Sequence, residues 1–404
     1  MKLDKDFLWG AATAAYQVEG GNVASDWWTF EHAEGAPMAE PSGDSVDHYH
    51  RYREDIALLS GLGLNAFRLG IEWSRIEPAP GQISYAAIDH YRRVLDTCAE
   101  HGVTTLVTFM HHTLPMWVAE KGGFIWPEAA DRFAQYCSLV STELGDRLQY
   151  TMTINQPNLD ANLGYRRGRT YPGWIATQTM SGDEAAALVE PTYRRAHSEG
   201  RAAIRAAAPQ AKVGLGLALD AWIFDGTEEE LRTHRAVRDW EGDYLECTVG
   251  DDYVGVQSYT HKIAAAPSGD PEDGGGGYGH GGLPGERLTQ MNYPFYPPAI
   301  GETSRRVSRL TGLPILVTEN GVGTDDDNER IEYIDGALAS LGEAVRDGVD
   351  LRGYFHWSLL DNFEWNSGYA RRFGLIDVDR RTFKRTPKPS AAHYGAYAKR
   401  NELP

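Results

Sequence analysis

Residues 151–158 read TMTINQPN, a short hydrophobic run that ends abruptly in three polar side chains and a proline. The β-branched residues of the run are typical of a buried strand. The polar residues follow at the point where the strand gives way to a loop. The other strand-like runs of the sequence indicate the type of sheet to which this strand belongs.

Short β-branched or aromatic runs of this kind recur along the whole chain. The eight runs are Phe7–Ala12, Ala66–Ile71, Thr104–Met110, Tyr150–Ile154, Val213–Leu219, Tyr253–Tyr259, Pro314–Thr318 and Leu351–Trp357. Segments with apolar residues at helical spacing, such as Tyr52, Ile56 and Leu59, lie between them. Several runs are hydrophobic throughout, which is typical of parallel strands that are covered on both faces.

This alternation predicts a single (β/α)8 TIM barrel spanning residues 1–404, with the active site at the C-terminal ends of the strands. The surplus over the roughly 250 residues of a typical barrel is expected in long loops after the strands. A doubly wound open sheet is the competing interpretation. It should bring a glycine-rich phosphate turn after the first strand, and FLWGAATAAYQVEGG at 7–21 contains no G-x-G-x-x-G.

The longest irregular stretch is 264–296, which includes four consecutive glycines among Asp, Glu and Pro. Such a composition cannot form a packed element, so we predict a mobile loop after the sixth strand. An interdomain linker is the alternative interpretation. A linker would need a self-sufficient domain after it, and only two predicted strands remain.

The bulk composition excludes several classes of partner. The 404 residues carry a net charge of −18 and a pI near 5.2, with no basic block, so neither nucleic acid nor anionic lipid is an expected partner. The three cysteines, Cys98, Cys137 and Cys247, match no metal or disulfide pattern and are predicted to be reduced thiols in the core. Without a recognisable signal peptide or membrane span, the cytoplasm is the expected compartment. The oligomeric state cannot be derived from the sequence.

Polar residues follow nearly every predicted strand, which is where a barrel opens its concave face. They are Gln17, Glu19, Arg68, Glu72, His111, His112, Asn155, Gln156, Gln257, Tyr259, Glu319, Asn320, Trp357, Asp361, Asn362, Glu364 and Trp365. Taken singly, a histidine or a tryptophan here could be structural, and Glu319 could be an ion-pair partner of Arg68. Their coincidence at strand ends favours a site. Aromatic faces beside amides and carboxylates suit a sugar, which presents CH patches and a rim of hydroxyls.

These residues lie in ordered blocks that resemble glycoside hydrolase family 1, the retaining β-glycosidases of β-glucosidase type. The blocks are FLWGAATAAYQVEG at 7–20, FRLGIEWSRIEP at 67–78, TFMHHTLPMW, TINQPN, LVTENG at 316–321 and YFHWSLLDNFEWNSGYARRFGLIDVD at 354–379. The resemblance covers almost the whole chain. It implies a (β/α)8 barrel that needs no metal or cofactor and that hydrolyses a small-molecule β-glycoside or oligosaccharide through two carboxyl groups.

The resemblance also assigns roles to residues. Glu319 falls on the nucleophile, and Arg68 and Tyr259 fall on neighbours that hold it ionised and oriented. The positions that match glycone-binding residues are Gln17, His111, Asn155, Glu364 and Trp365, with Trp357 as the platform beneath the ring. The Glu-Trp-Asn block at 364–366 matches enzymes that act on unphosphorylated sugars. Neither the glycone nor the aglycone can be identified further.

The chain departs from the family pattern at the general acid/base position. Gln156 stands where TxNEP has the glutamate, and an amide has no acidic proton at neutral pH. Milder departures are HHTLP for HWDLP, which places His112 where the family has tryptophan, and QSYT for NYYT at 257–260. These alter the pocket wall, so they bear on substrate preference.

Gln156 admits three interpretations. The chain can be an engineered variant in which glutamine replaces the acid/base glutamate and impairs turnover. It can be a natural glutamine-type enzyme that acts on thioglycosides or as a transglycosylase. It can also be a catalytically silent sugar-binding protein, although that leaves the retained nucleophile without a use. Glu31, His112 and Asp160 are candidates to replace the missing acid, and the sequence does not show whether any reaches the glycosidic oxygen.

Overall fold

The computed structural model describes residues 1–264 and 285–404, and within them eight parallel strands close into a barrel. The strands are β1 (Leu8–Ala12), β2 (Ala66–Gly70), β3 (Thr104–His111), β4 (Tyr150–Asn155), β5 (Lys212–Ala218), β6 (Tyr253–Gln257), β7 (Ile315–Asn320) and β8 (Leu351–Trp357). Each strand pairs with its neighbours in chain order, and β1 pairs with β8 to complete the ring. The predicted (β/α)8 barrel is confirmed, with strand bounds that differ by at most two residues.

Helices between the strands cover the outside of the barrel. They are α1 (His48–Leu62), α2 (Tyr85–Glu100), α3 (Ala129–Leu144), α4 (Gly182–Ala207), α5 (Arg235–Glu241), α6 (Ala299–Thr311), α7 (Asp327–Arg346) and α8 (Pro389–Arg400). Shorter helices lie in the loops at Ala15–Glu19, Asp26–Glu31, Trp73–Ile76, Met116–Ala119, Gly173–Ala176 and Glu228–Thr233, and Asp160–Arg166 is a π-helix. The extra length of the chain therefore lies largely in the loops after the strands, as predicted.

Successive residues of a strand point to opposite faces, and the two faces belong to different cores. In β1, Leu8 and Ala12 belong to a small cluster that also contains Leu106 and Phe355. The intervening Trp9 belongs to the large cluster shared with the helices. Because both faces are buried, the strands are hydrophobic throughout, which explains the pattern read from the sequence.

The predictions for the cysteines and for the glycine-rich loop have mixed outcomes. Cys98 and Cys137 are buried, whereas Cys247 lies half-exposed in the 3₁₀ turn Tyr244–Thr248, so the prediction of a core thiol is wrong there. Of the predicted glycine-rich loop at 264–296, residues 265–284 lie outside the described residues. Among the residues that are described, no helix combines the length and apolar character needed to cross a bilayer.

Candidate active site

The C-terminal ends of the strands converge on a cavity of about 360 Å³. Its wall includes seven of the predicted site residues: His111, Gln156, Tyr259, Glu319, Trp357, Glu364 and Trp365. The other three, Gln17, Arg68 and Asn155, are fully buried and hydrogen-bond to members of that wall. The ten residues to which the family resemblance assigns roles therefore lie together at the ends of the strands. Of the other strand-end residues, Glu19, Glu72 and Asp361 lie outside the cavity wall and accept hydrogen bonds from Arg75, Thr113 and Lys388.

Glu319 is held at both carboxylate oxygens by groups from other strands. Arg68 Nη1 donates to Oε1 over 2.5 Å, and the Tyr259 hydroxyl donates to Oε2 over 2.7 Å. Arg68 has no exposed side-chain surface and Glu319 has 5%. Burial, and next the charge of Glu319, raise the pKa of Tyr259 well above its ordinary value, so this phenol remains a donor. A buried carboxylate with both oxygens fixed presents its remaining lone pairs in one direction.

Asn155 lies beside this pair and is oriented by two donors. Arg68 Nη2 and Gln257 Nε2 each donate to Asn155 Oδ1 over 2.7 Å. Because two donors reach Oδ1, the orientation of the Asn155 amide is determined. Its Nδ2 group then lies near the imidazoles of His111 and His112, 3.2 Å from Nε2 of each. Burial, with the neighbouring charges of His112 and Arg68, lowers the pKa of His111 well below its ordinary value, so this imidazole is neutral.

Glu364 provides a second carboxyl group in the cavity wall. Gln17 Nε2 donates to Glu364 Oε2 over 3.3 Å and to the Phe363 carbonyl over 2.7 Å. Burial is the largest influence, followed by the charge of Glu319, and together they raise the pKa of Glu364 to about 8. Near neutral pH, Glu364 is therefore largely protonated and can both donate and accept hydrogen bonds.

Aromatic rings form the rest of the wall. Trp357 and Trp365 both stack on His111, with ring centroids 5.7 Å and 6.1 Å apart. Trp27 packs against Trp365 with centroids 4.4 Å apart and also lines the cavity, although it was not among the residues predicted for the site. It does not directly follow a strand end but lies in the short helix Asp26–Glu31, within the loop between β1 and α1. Flat faces beside polar groups suit the CH patches of a sugar ring.

Gln156 occupies the first position after β4 and has a left-handed backbone, with φ of 48°. Its N–H donates to the Gly216 carbonyl over 2.8 Å, which anchors the turn to β5. The side chain is 7% exposed and belongs to the cavity wall. The amide can donate a hydrogen bond into the cavity, but it cannot release a proton.

His112 and Asp160 form a close pair beside Gln156. His112 Nδ1 lies 2.6 Å from Asp160 Oδ1, and both residues line the cavity. Burial lowers the pKa of His112, but the charge and hydrogen bond of Asp160 outweigh it, so that the net shift is upward. The sequence suggested these two residues separately and gave no sign of their contact.

The third candidate acid, Glu31, does not face the cavity. Its carboxylate accepts hydrogen bonds from the backbone and side chain of Ser42, at 3.1 Å and 2.7 Å, and Glu31 is not part of the cavity wall. Asp220, just after β5, does line the cavity and was not selected from the sequence. Its carboxylate lies 3.9 Å from Lys262 Nζ, and burial raises its pKa.

Comparison with known proteins links this geometry to one family. The model of the Glycosyl hydrolase family 1 matches residues 1–273 and 251–403, which together span nearly the whole chain. The chain is similar to β-glucosidase A of Thermotoga maritima, with 32% identity over 100% of this chain and 99% of that protein. It is also similar to a bifunctional β-D-glucosidase/β-D-fucosidase of Bifidobacterium breve, with 33% identity over 98% and 97% of the two chains.

Solved structures give the same result. The apo structure of a β-glucosidase named 1317 superposes with a TM-score of 0.84 and 41% identity, covering 98% of this chain and 99% of the other. A Thermotoga maritima β-glucosidase in complex with glucoimidazole superposes with a TM-score of 0.87 and 30% identity over 100% of both chains.

Proposed function

The chain belongs to glycosyl hydrolase family 1, and from that premise we propose that it is a retaining β-glycosidase with Glu319 as nucleophile and Gln156 at the acid/base position. Its substrates are unphosphorylated β-glycosides or oligosaccharides. The observation that carries this proposal is the fixation of both Glu319 oxygens by Arg68 and Tyr259. Such fixation suits a carboxylate that must attack a single carbon atom from one direction.

In the first step, Glu319 attacks the anomeric carbon while the bond to the aglycone oxygen breaks. The ring gains positive charge in the transition state, which the buried carboxylate stabilises. Asn155 would contact the 2-hydroxyl, where hydrogen bonds strengthen as that charge develops. Water then releases the sugar from the ester and restores the carboxylate, with retention of configuration.

The remaining polar groups would bind the glycone. Gln17, His111, Glu364 and Trp365 offer amide, imidazole, carboxyl and indole groups to hydroxyls, with Trp357 beneath the ring. The Glu-Trp-Asn block at 364–366 supports an unphosphorylated sugar, because it matches the family members that act on such sugars. The relatives named for glucosidase and fucosidase activity support a hexose glycone.

Gln156 cannot supply the proton that a poor leaving group requires. The two proton-dependent steps are therefore slow unless a neighbouring group transfers the proton. The neutral amide also favours an alternative, in which the natural substrates are thioglycosides or the sugar is passed to acceptors other than water. A silent sugar-binding protein receives less support, since binding alone does not require the arrangement around Glu319.

Mechanism-based trapping tests the nucleophile. We expect a dinitrophenyl 2-deoxy-2-fluoro-β-glucoside to add one fluoroglycosyl group to the protein, because dinitrophenolate departs without a proton and the fluorine slows release. Peptide mass spectrometry should locate the group on Glu319. The Glu319→Gln variant should gain no mass, whereas Glu229→Gln, at an exposed position in the loop helix Glu228–Thr233, should label like the parent. An adduct that persists on a Glu319→Ala variant would refute the assignment.

A further inference from the structure

The glutamine at position 156 leaves the reaction without a proton donor, and the cavity wall contains a pair suited to replace it. His112 Nδ1 and Asp160 Oδ1 are 2.6 Å apart, and the second oxygen of Asp160 lies 3.3 Å from the Tyr193 hydroxyl. A carboxylate bound at Nδ1 fixes the orientation of the imidazole and leaves Nε2 to exchange protons. We propose that His112, oriented by Asp160, is the general acid/base of this site. This inference rests on the proposed function.

The position of the His112 ring supports this role. Its Nε2 lies 3.2 Å from Asn155 Nδ2, which donates to the neutral ring, so this contact must give way when Nε2 carries a proton. The Gln156 side chain is a further hydrogen-bond partner of the ring. The other side of the His112 ring makes an edge contact with the Trp365 ring, with centroids 5.4 Å apart and the ring planes at 82°. The imidazole is therefore held on the part of the wall where the family pattern places the acid.

Local turns bring the two residues together. His112 follows β3 with φ of 66°, and Gln156 follows β4 with φ of 48°. Left-handed backbone is uncommon for residues with a Cβ, and it turns the chain sharply at the ends of these adjacent strands. Asp160 then lies one helical turn beyond Gln156, at the start of the π-helix Asp160–Arg166. The departure HHTLP thus places an imidazole where a carboxylate can hold it.

The charges around the ring favour reversible protonation. Burial lowers the pKa of His112, but Asp160 and Glu319 raise it by more, and the net shift is upward. His111 contacts the ring edge-on and is neutral, and the cation of Arg68 lies 3.2 Å from His111 Nδ1. When Glu319 becomes an ester its charge disappears, so the pKa of His112 falls and the neutral base becomes more populated. The same residue can therefore act as acid first and as base second.

The proton balance follows directly. As Glu319 attacks and the glycosidic bond breaks, its electron pair passes to the aglycone oxygen, which takes the proton from His112 Nε2. Neutral His112 next removes a proton from water. The water oxygen then bonds to the anomeric carbon and displaces the Glu319 carboxylate. Protonated His112 and free Glu319 are regenerated, and no other reactant is consumed.

Leaving-group dependence tests the proposal. We expect His112→Asn to lower kcat/KM for an alkyl β-glucoside on the order of 10²-fold or more, because its alkoxide needs a proton. For a dinitrophenyl β-glucoside, kcat/KM should change by less than about tenfold, while kcat falls because water is no longer activated. Azide should restore that kcat and yield a β-glycosyl azide. Adding Gln156→Glu to His112→Asn should restore alkyl glucoside hydrolysis, and Asp160→Asn should show the same pattern more weakly.

A matched control is His393→Asn, which breaks another histidine–aspartate contact of 2.6 Å, between His393 Nε2 and Asp335 Oδ1 outside the cavity wall. It should leave both substrates and the azide response unchanged. Equal losses on both substrates in His112→Asn, with no azide rescue, would overturn the proposal and indicate a role in binding the glycone. Fluoroglucoside trapping separates the two proposals, because labelling of Glu319 in the parent and in His112→Asn supports the proposed function whatever the fate of His112.

Discussion

At the scale of single residues, Glu364 makes the site sensitive to pH. Burial, followed by the charge of Glu319, raises the pKa of Glu364 to about 8, whereas the pKa of a glutamate in the unfolded chain is near its ordinary value of 4.5. Between these values the folded state binds more protons, so the contribution of Glu364 to stability falls as the pH rises. From pH 6 to 9 this loss amounts to up to about 3 kcal/mol.

Glu364→Gln should remove this dependence, because an amide stays neutral in both states. We expect the melting temperature of the parent to fall more steeply between pH 6 and 9 than that of the variant. Scanning calorimetry across this range measures both, and Glu229→Gln, an exposed charge deletion, should follow the parent. Identical pH profiles for the parent and Glu364→Gln would show that the carboxyl group is already ionised at pH 6.

The sequence predicts which residues reach the site, but not all their contacts. Glu319, Arg68 and Asn155 follow from strand ends, because barrel topology alone brings those ends together. The contact between His112 and Asp160 depends on left-handed turns at His112 and Gln156, and local sequence does not specify such a conformation for a glutamine. Trp27 reaches the cavity from a loop helix, whose position depends on tertiary packing.

At the scale of an element, β5 shows how the barrel interior is filled. Gly216 faces Met152 on β4 and Gln257 on β6, and a Cβ at Gly216 would lie 2.3 Å from Met152 Sδ and 3.1 Å from Gln257 Nε2. Gln257 in turn orients Asn155. The glycine therefore provides space for side chains from both neighbouring strands.

Gly216→Ala should destabilise the protein by about 1–3 kcal/mol, since overpacking forces neighbours out of their rotamers. Chemical denaturation measures the change. It should also lower kcat, because displacement of Gln257 disturbs Asn155. Gly61→Ala in α1 is the control, because nothing lies within 4 Å of the added Cβ, and alanine there should be neutral or slightly stabilising. Equal stability of the two variants would show that the barrel interior can accommodate a Cβ at Gly216 without strain.

Strands are predicted better than loop elements, for a physical reason. A strand buried on both faces has a hydrophobic run that local sequence displays. The pair of three-residue strands Ala221–Ile223 and His261–Ile263 is too short to produce a pattern. In α4, Pro191 lies inside the helix Gly182–Ala207, where local rules would place a break. Packing of α4 against α3 outweighs that preference.

At the scale of the whole molecule, closure of the barrel joins the two ends of the chain. β1 pairs with β8, and the Tyr394 hydroxyl in α8 donates to the carbonyls of Gly10 and Tyr354, at 2.8 Å and 3.1 Å. Trp9 Nε1 donates to Asn401 Oδ1 over 2.9 Å. Contacts between residues so far apart in the chain have a large loop-closure cost. The interactions that join β1 to β8 and α8, here called the seam, therefore affect the stability of the entire fold.

A buried ion pair also joins α1 to the C-terminal part of the chain. Arg385 donates to both oxygens of Asp55 over 2.7 Å and 2.9 Å, and His48 Nδ1 lies 2.8 Å from the same carboxylate. Neither Asp55 nor Arg385 has exposed side-chain surface. Burial alone would raise the pKa of Asp55, but the bonds from Arg385 and His48 outweigh it and lower the pKa. The pair therefore stabilises the fold at neutral pH and loses that contribution as acid protonates Asp55.

Asp55→Leu and Arg385→Met should each cost about 3–5 kcal/mol, because either change leaves a buried charge without its partner. The double variant Asp55→Leu/Arg385→Met should cost less than the sum of the single changes, since it buries no isolated charge. Urea unfolding followed by both tryptophan fluorescence and circular dichroism would measure these free energies and check that the transitions coincide. Lys2→Met breaks an exposed pair with Glu402 that also joins the chain ends, and it should cost less than about 1 kcal/mol. If the Asp55 and Arg385 changes were additive, the seam would depend on backbone pairing and apolar packing rather than on this ion pair.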